Sequence, residues 1–510
     1  MRHPAPGSPE EIAAFHTLKA RLPEIFRKIT ENPRTPQTVV VVPSLSLHPD
    51  ELKKISGVHH YEERLLYMLM LLRLPRTNLV FVTSQPIHPS IVDYYLHLLS
   101  GVPGNHARKR LTLLACHDAS PRPLSQKILD RPLLQQRILS AIQDPEIAHL
   151  SVFNSSPLER TLAVRLGLPL HAPDPDLYDL GTKSGCREVF REAGVLLPDG
   201  FERLRDEDDI VEAIDTLIAR NPGLRRVVVK LNDGFSGEGN ALFYTEGAPE
   251  TGDRKPWIRE NLPTGLRFEA PMERWETYIE KYREMGGVVE CFVEGKVKHS
   301  PSCQSRVNAL GEPMTISTHD QVLGGPSGQV FLGCTFPAIP EYRLEIQEAG
   351  FSIASVMAKR GVVGRFATDF VSVQEDGDWK HYAIEVNLRK GGTTHPFLTL
   401  KFLTDGTYDY TTGQFLTPNE KPKYYYASDT LHSDTYQGLT PDDLIDIAVF
   451  HGLHFHGSSE RGVVFHLIGA LSEFGKLGLV CIGDNPQQAM FLYNKTVGVL
   501  DREAGALREG

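Results

Sequence analysis

A lysine followed by a glycine-rich stretch is the feature of this sequence best suited to chemistry. Lys230 ends an apolar segment, and Gly234, Gly237 and Gly239 follow it before Asn240. Backbone N–H groups of such a loop can approach phosphate oxygens closely because no Cβ stands in the way, and the lysine adds a compact positive charge. The stretch matches neither the Walker A nor the Rossmann spacing. It indicates a phosphate-binding loop of another kind, with a glycine-rich hairpin and an exposed lysine as an equally common alternative.

Two carboxylates lie inside apolar segments farther along the chain. Asp369 occupies one segment, Glu385 and then Asn387 occupy the next, and Gly377 and Asp378 predict a turn between them. In a hairpin both carboxylates can face the same side of the sheet. Oxygen ligands of this kind suit Mg²⁺, and a carboxylate within an apolar strand is costly unless it is paired or metal-bound. The pattern favours a metal site over a salt-bridged pair of strands.

A basic, glycine-containing segment follows this predicted metal site directly. Its members are Arg389, Lys390, Gly391, Gly392, Thr393, Thr394, His395 and Pro396. Arginine, lysine and glycines beside a metal indicate an anion pocket, although a basic turn without a function explains them equally well. Lys183, in the first turn of a predicted helix, is a second candidate phosphate ligand, and a solvated lysine is its more common alternative.

Alternating strands and helices predict the framework that positions these residues. An α/β unit with a parallel sheet is expected over residues 30–175. Its segments are predicted, in chain order, at 38–43, 60–73, 78–83, 91–99 and 111–116. Beyond it we predict helices at 182–193, 206–220 and 341–360, a strand at 225–230, several strands between 288 and 336, and a helix that starts at Pro441 and is capped by Thr440.

Composition limits the classes of partner. A net charge of -10 argues against non-specific nucleic-acid binding and against an anionic membrane surface. The six cysteines form no CxxC pair, which favours a reducing compartment. The longest apolar run, at 65–72, is too short to cross a bilayer, and the first residues predict a helix capped by Ser8 rather than a signal peptide. We therefore expect a cytoplasmic protein with neither nucleic acid nor membrane as a partner.

Taken together, these motifs resemble the ATP-grasp superfamily over about residues 175–400, and the wider chain resembles its branch typified by the pheganomycin peptide ligase. The resemblance implies that two lysines and a glycine-rich loop hold ATP and that an adenine-binding linker lies at 288–295. The implied ATP-binding residues are Lys183, Lys230, Gly234, Ser236, Gly237, Glu238, Gly239, Asn240, Glu290, Cys291, Val293 and Glu294. Two Mg²⁺ ions would bind Asp369, Glu385 and Asn387. No acidic residue follows Gly295 at the usual ribose-contact position, and Glu294 is the substitute.

The resemblance also implies a fold and an activity. The fold is α/β: a pre-ATP-grasp parallel-sheet domain at 1–175, an ATP-grasp fold of two α+β lobes at 176–404, and a C-terminal extension at 405–510. The activity is an ATP-dependent carboxylate–amine ligation that forms an amide or peptide bond through an acyl phosphate and releases ADP and phosphate. Arg389 and Lys230 would be catalytic. The implied substrate contacts are Gly391, Gly392, Thr393 and His395. Arg306, on a strand after the linker, is a further candidate that could hold a substrate carboxylate, although structural pairing is the more common role of such a residue. Amino acids or short peptides are the expected substrates, and a homodimer is the expected assembly.

Two other functions fit the same residues. One is an ATP-grasp kinase-like enzyme or non-peptide ligase, and the other is a nucleotide-binding regulatory module without turnover. The intact candidate lysines and metal ligands argue against the regulatory module. A zinc site at His451, His454 and His456 is disfavoured because no cysteine or carboxylate completes a tetrahedral set nearby. For Cys291 a packing role is more common than reactivity.

Overall fold

The computed structural model describes residues 3–234, 239–270, 272–324 and 330–509. Three residues expected in the ATP-binding loop, Ser236, Gly237 and Glu238, lie outside these ranges. Within the described ranges the chain forms a parallel sheet followed by two largely antiparallel sheets, which confirms the predicted α/β class. No described helix is long and apolar enough to span a membrane.

The N-terminal sheet contains the predicted parallel strands. In the described chain its strand order is β3-β2-β1-β4, with β1 Gln37–Val42, β2 Thr77–Thr83, β3 Leu111–Ala115 and β4 Ala148–Val152. The sequence indicated the first three strands and missed β4. The flanking helices are α1 Pro9–Lys19, α2 Leu22–Glu31, α3 Pro49–Lys54, α4 Pro89–His97, α5 Gly104–Arg108, α6 Leu124–Leu129, α7 Pro132–Ser140 and α8 Pro157–Leu166.

One predicted helix of this unit has a different geometry. The apolar segment expected as an ordinary helix at 60–73 is a 3₁₀ helix, Val58–Arg73. Its side chains Leu65, Leu66, Leu69 and Leu72 are buried all the same. Apolar composition therefore located a buried helical segment correctly without specifying its hydrogen-bond pattern.

The second sheet carries the glycine-rich stretch. Its described strands follow the order β5-β9-β6-β7-β8, with β5 Gly200–Leu204, β6 Arg226–Leu231, β7 Asn240–Tyr244, β8 Arg267–Phe268 and β9 Gly287–Cys291. A 3₁₀ helix, Pro175–Gly181, leads into its helices, which are α9 Lys183–Ala193, α10 Glu207–Arg220, α11 Lys255–Gly265 and α12 Trp275–Met285. Asp206 caps α10 by accepting a hydrogen bond from Asp209 N, as an N-cap aspartate does.

The third and largest sheet carries the predicted metal hairpin. In the described residues its order is β10-β14-β11-β12-β13-β18-β20-β19, and β15 pairs with β14. The strands are β10 Lys298–His299, β11 Pro301–Val307, β12 Pro313–Gly324, β13 Val330–Phe336, β14 Gly364–Glu375, β15 Asp378–Asn387, β18 Tyr424–His432, β19 Gly462–His466 and β20 Lys476–Gly483, with β16 Thr407–Asp409 and β17 Gln414–Leu416 forming a separate pair. The remaining helices are α13 Arg343–Lys359, α14 Thr394–Thr404, α15 Pro441–Phe450, α16 Leu471–Phe474 and α17 Pro486–Glu509.

The C-terminal residues are integrated with the rest of the molecule. Strands β18 to β20 continue the sheet that contains the metal hairpin. A single hydrophobic core joins them to the N-terminal sheet, with Phe81 and Leu66 on one side and Phe465 and Leu479 on the other. The predicted cap of α15 by Thr440 is present, and it forms a capping box with Asp443. The domain boundaries at 175 and 404 stay predictions.

Candidate active site

The β14–β15 hairpin places the predicted metal ligands together. Asp369 lies directly opposite Glu385, and the turn of the hairpin uses Asp376 and Gly377 with φ of 52° and 96°. Asn387 donates from its side-chain nitrogen to Asp369 Oδ2 at 2.8 Å and to Glu385 Oε1 at 3.3 Å. The two carboxylates and the amide therefore share one side of the sheet, as the hairpin prediction requires.

The close carboxylates of Asp369 and Glu385 have pKa values that are shifted in opposite directions. Burial and the negative charge of Glu385 raise the pKa of Asp369 to about 7. The ammonium of Lys183 lowers the pKa of Glu385 to about 2. One carboxylate is therefore readily protonated while the other stays ionised. This arrangement suits a divalent cation, which would offset the negative charge on both.

Lys183 connects the hairpin to the second sheet. Thr182 caps helix α9 by accepting a hydrogen bond from Gly185 N at 3.0 Å, and the Lys183 side chain forms an ion pair with Glu385. Lys183 N donates to Asn232 O at 3.0 Å, so the start of the helix is fastened to the end of β6. The lysine is thereby held at the junction of the two sheets.

Lys230 has a buried counter-ion of its own. Its Nζ lies 2.5 Å from Glu290 Oε2, and Arg187 forms a second ion pair with the other oxygen of that carboxylate. Burial alone would raise the pKa of Glu290, but Lys230 and Arg187 together lower it. Glu290, expected to contact ATP, is thus the acceptor for two cations, and its contact with the nucleotide stays a prediction.

The remaining expected ATP residues border this junction. Gly234 and Gly239 face each other, since a Cβ on Gly234 would lie 3.3 Å from Gly239 Cα. Asn240 begins β7 and pairs with Lys230. Burial raises the pKa of Cys291, at the end of β9, to about 11, which fits a packing role.

The expected adenine linker continues from β9. Val293 O accepts a hydrogen bond from Lys298 Nζ at 3.1 Å. Glu294 accepts two hydrogen bonds from Arg226, at 2.9 and 3.0 Å, and retains solvent exposure. Glu294 therefore has a partner already, and its assignment to the ribose stays a prediction.

Arg389 is positioned by the N-terminal domain. Its guanidinium lies 6.0 Å from the ring of Phe153, just beyond β4, and Arg64 covers the same ring at 5.1 Å. Burial lowers the pKa of Arg389, although Glu385 and Asp369 act in the opposite direction. Lys390 N donates to Phe153 O at 3.2 Å, and its ammonium donates to Val152 O. The predicted anion segment is thus fastened to the end of a parallel strand.

Comparisons with known proteins assign the family. The model described as "IQCH-like, ATP-grasp" matches residues 175–246 and 266–411, and the "PGM1 C-terminal domain" matches residues 443–496. The L-propargylglycine--L-glutamate ligase of Streptantibioticus cattleyicolor is 30% identical over 450 residues, which cover 86% of this chain and 89% of that protein. This chain belongs to the ATP-grasp ligases. It is an ATP-dependent carboxylate–amine ligase, and the predicted resemblance is confirmed.

Further relatives share the fold of this ATP-grasp ligase. IQ motif-containing protein H of Danio rerio is 21% identical, over 97% of this chain and 51% of that protein. The biotin carboxylase domain dimer of the Hydrogenobacter thermophilus 2-oxoglutarate carboxylase superimposes with a TM-score of 0.54 at 13% identity, covering 91% of this chain and 89% of that chain. Biotin carboxylase from Campylobacter jejuni gives 0.51 at 13% identity, covering 89% of each chain.

Several expected substrate contacts of the ligase have structural partners instead. Gly391 N donates to Thr394 Oγ1 at 3.0 Å, and Thr393 O accepts from Gln304 Nε2 at 2.7 Å. A Cβ on Gly392 would lie 3.2 Å from the ring of Phe331. These contacts shape the turn that follows Arg389, and a direct role with substrate stays a prediction.

His395 is the most enclosed member of this group. Its Nε2 lies 3.0 Å from His466 Nε2, and burial together with His466 lowers its pKa well below the usual value. A neutral, buried imidazole with a neighbouring imidazole as partner is typical of packing. Its role as a substrate contact stays a prediction.

Arg306 lies apart from the other site residues of the ligase. On β11 it pairs with Arg365 of β14, whereas Ser302 of the same strand pairs with Asp369. Four residues of extended strand separate the two pairs, which corresponds to about 13 Å. The Arg306 guanidinium packs 5.6 Å from the ring of Phe26 on α2. The structure thus brings Lys183, Lys230 and the metal hairpin together and places Arg306 at a distance from them.

Two supporting residues were missed by sequence reasoning, Phe153 and Arg64, which flank Arg389. The sequence offered Gln321 as a possible substrate contact or a structural polar partner, and on β12 it donates to Asp369 Oδ1 at 2.7 Å. Arg64 had a signal, because it is a charged residue within an apolar helical segment. Phe153 had none, since only the folded chain places its ring beside Arg389.

Proposed function

We propose that this ligase joins the carboxylate of one amino acid or short peptide to the amine of another. The observation that carries the proposal is the meeting of Lys183, Asp369, Glu385, Asn387 and Arg389 where two sheets join. These are the charges that phosphoryl transfer to a carboxylate requires. The relative from Streptantibioticus is named for two amino acids, which supports substrates of this class.

ATP would bind between the second and third sheets. The phosphates would be held by Lys183 and Lys230 and by the backbone of the glycine-rich stretch, whose described ends are Gly234 and Gly239. Each lysine forms an ion pair with a carboxylate, Lys183 with Glu385 and Lys230 with Glu290. Phosphate oxygens would replace the carboxylate of Glu385 as partner of Lys183, so the lysine is already oriented before the nucleotide arrives.

Two Mg²⁺ ions would be held by Asp369, Glu385 and Asn387. Two observations support binding of metal by these residues. Their oxygen atoms lie on the same face of the β14–β15 hairpin, and the pKa of Asp369 is raised beside Glu385. When bound, Mg²⁺ offsets the charge of the nucleotide phosphates during transfer. Gln321 and Asn387 donate to the two oxygens of Asp369 and fix its orientation.

The reaction would proceed in two steps. A carboxylate oxygen of the first substrate attacks the γ-phosphorus, the bond from that phosphorus to the bridging oxygen breaks, and ADP leaves. The amine of the second substrate then attacks the acyl carbon, phosphate leaves, and the proton of the amine passes to phosphate or solvent. Arg389, held by the Phe153 ring, would stabilise the negative charge that develops on the acyl oxygen.

We further propose the three-part division of the chain and a homodimer. The division at 175 and 404 follows the change from the parallel sheet to the second sheet and the end of α14. Light scattering after size-exclusion chromatography tests the assembly. A mass of twice 56.9 kDa is expected, and a mass of one chain would contradict the homodimer.

Release of ADP with pairs of substrates tests the function. ATP, Mg²⁺ and a panel of amino acids and dipeptides are supplied singly and in pairs, and products are analysed by mass spectrometry. We expect at least one pair to give ADP together with a product equal to the two substrates minus one water. ADP formation with one substrate alone and a stable phosphorylated product would contradict ligation and identify a kinase-like enzyme.

A further inference from the structure

A cavity of 290 Å³ lies between the N-terminal sheet and the metal-bearing sheet. Helix α2 and the Val58–Arg73 helix cover it, strands β1 and β4 form one wall, and β11, β14 and α14 form the other. Lys390 belongs to its lining and directly follows Arg389 in the chain. The cavity therefore shares the Arg389–Lys390 segment with the proposed active site, although Arg389 itself does not line it.

Basic side chains line one part of this cavity. Arg306, Arg365 and Lys390 belong to it, and none of them forms a salt bridge with a carboxylate in the part of the chain that the structure describes. Burial and the two arginines lower the pKa of Lys390 to about 7, so the arginines supply the lasting positive charge. Arg306 Nε and Arg365 Nη1 are buried with no hydrogen-bond partner among the described residues, and buried cations without counter-ions are costly, so this part of the cavity suits an anion.

Two histidines add polar atoms beside these basic side chains. His149 Nδ1 and His171 Nε2 are also buried with no hydrogen-bond partner among the described residues. Burial lowers the pKa of His149 to about 4 and that of His171 well below its usual value, so both imidazoles are neutral. They offer hydrogen bonds to a ligand without adding to the positive charge.

The rest of the lining is apolar. Leu22, Ile25 and Phe26 of α2 and Leu398 and Phe402 of α14 belong to it, and the Phe26 ring lies 5.6 Å from the Arg306 guanidinium. Leu22 and Ile25 are almost fully buried. A ligand that fills the cavity therefore carries an anionic group close to an apolar group.

We propose that this cavity binds the amine substrate as an α-amino acid with an apolar side chain. Its free carboxylate contacts Arg306, Arg365 and Lys390, and its side chain lies between α2 and α14. The assignment rests on the proposed function, in which the carboxylate of the first substrate is consumed near Arg389. The substrate that supplies the amine keeps its own carboxylate throughout the reaction, and that carboxylate is the anion assigned to the cavity.

The spacing along the sheet limits where the amino acid can lie. Arg365 and Asp369 are four residues apart on β14, about 13 Å. Attack needs an approach of roughly 3–3.5 Å between amine and carbon, and the amine of an α-amino acid lies next to its carboxylate. The proposal therefore requires the guanidinium groups of Arg306 and Arg365 to hold that carboxylate at the part of the cavity nearest Arg389.

Calorimetry with Mg²⁺ and ADP present tests the cavity directly. The probes are L-leucine, L-methionine and L-norvaline, each compared with its carboxamide, which lacks the negative charge. We expect at least one of the amino acids to bind, and its carboxamide to bind about ten- to hundred-fold more weakly, as loss of a charge-assisted hydrogen bond predicts. Absence of binding by all three, or equal binding of acid and carboxamide, would overturn the proposal.

Variants locate the site of that binding. Arg365→Gln and Arg306→Gln should each weaken amino-acid binding about tenfold and reduce the difference between acid and carboxamide, with ADP affinity unchanged as a test of folding. Arg27→Gln is the matched control, because Arg27 is an exposed cation on α2 and does not line the cavity. Unchanged binding and discrimination in both cavity variants would overturn the assignment.

A steric variant tests the apolar part of the lining independently of charge. Ile25→Trp should weaken L-leucine binding more than L-alanine binding, since the indole fills the space between α2 and α14. Equal effects on the two ligands would contradict the placement of the side chain. Failure of the cavity alone leaves pair-dependent ADP release intact, whereas amino-acid binding without ADP release from any pair would contradict the proposed function instead.

Discussion

The ligase contains two groups of cations in very different surroundings. In the proposed nucleotide cleft, Lys183 and Lys230 are paired with Glu385 and Glu290. In the cavity, Arg306 and Arg365 have buried nitrogens with no hydrogen-bond partner among the described residues. The lysines of the cleft thus have carboxylate counter-ions, whereas the arginines of the cavity have none among the described residues.

This difference indicates how each region meets its ligand. A lysine that is paired with a carboxylate is already oriented, and it can exchange that carboxylate for a phosphate oxygen. The side chains of the cleft therefore need little rearrangement when the nucleotide binds. An unpaired buried arginine destabilises the fold until an anion neutralises it. Removing a cation of the cleft should therefore lower the free energy of unfolding of the protein, whereas removing an arginine of the cavity should raise it.

Removal of the central metal carboxylate should have the largest effect. Glu385→Gln weakens metal binding and releases Lys183, and because a metal contributes several kcal/mol to such a transition state, pair-dependent ADP release should fall roughly 10³-fold. The control is Glu375→Gln on the same hairpin, which removes only an exposed pair with Lys380. Near-normal ADP release by Glu385→Gln would contradict the metal assignment.

Substitution of the second lysine should have a smaller effect. Lys230→Gln removes one charge from the developing phosphoryl group, so kcat should fall about 10²-fold. Arg187 still pairs with Glu290 and limits the structural damage. In the double variant Lys230→Gln/Glu290→Gln thermal stability should recover while kcat stays low. Recovery of kcat as well would show that Lys230 acts only through packing.

Opposite changes in stability should separate the two groups of cations. Lys183→Met leaves Glu385 without its cation and should lower the free energy of unfolding by about 1–2 kcal/mol, a value reduced because both groups keep some solvent contact. Arg365→Met removes an unpaired cation and should raise it by about 1 kcal/mol. Urea unfolding measures both. If both substitutions changed the free energy of unfolding in the same direction, the proposed contrast between the cleft and the cavity would be contradicted.

The pH dependence of Mg²⁺ binding should show the smallest effect. Burial and Glu385 raise the pKa of Asp369 to about 7, so the metal-free fold binds a proton there that the unfolded chain has already lost above about pH 4. Without metal, Asp369 therefore lowers the free energy of unfolding progressively as the pH rises from about 4 toward 7, because its proton is lost in the folded protein only near pH 7. Metal requires the ionised form, so the Mg²⁺-induced increase in Tm should be a few degrees larger at pH 8 than at pH 6.

Asp369→Asn is the control for that measurement. The variant cannot ionise at this position, so the difference in the Mg²⁺ effect between pH 6 and pH 8 should disappear. A difference that persists unchanged would assign the pH dependence to another group.

Sequence reasoning brought the cleft residues together because its signals are local. The proposed metal ligands lie on adjacent strands of one hairpin, so alternation and a turn signal were sufficient to place Asp369 beside Glu385. The lysine of the glycine-rich stretch ends an apolar strand that is equally visible. These short-range patterns do not depend on how distant parts of the chain meet.

The cavity and the support of Arg389 could not be predicted in the same way. Arg306 and Arg365 are 59 positions apart in sequence and become neighbours only through the pairing of β11 with β14. His149 and Phe26 come from separate elements of the N-terminal unit. Arg306 was recognised as a substrate candidate, but its distance from the metal hairpin follows from sheet register, which no local pattern specifies.

Transfer of oxygen from substrate to phosphate is the most direct test of the account. The active pair is supplied with ¹⁸O in the carboxylate of the first substrate, and the released phosphate is analysed by mass spectrometry. An acyl phosphate predicts one ¹⁸O atom in each phosphate, because the oxygen that attacks the γ-phosphorus leaves with it. Phosphate without ¹⁸O, formed together with the amide, would contradict carboxylate activation by phosphoryl transfer.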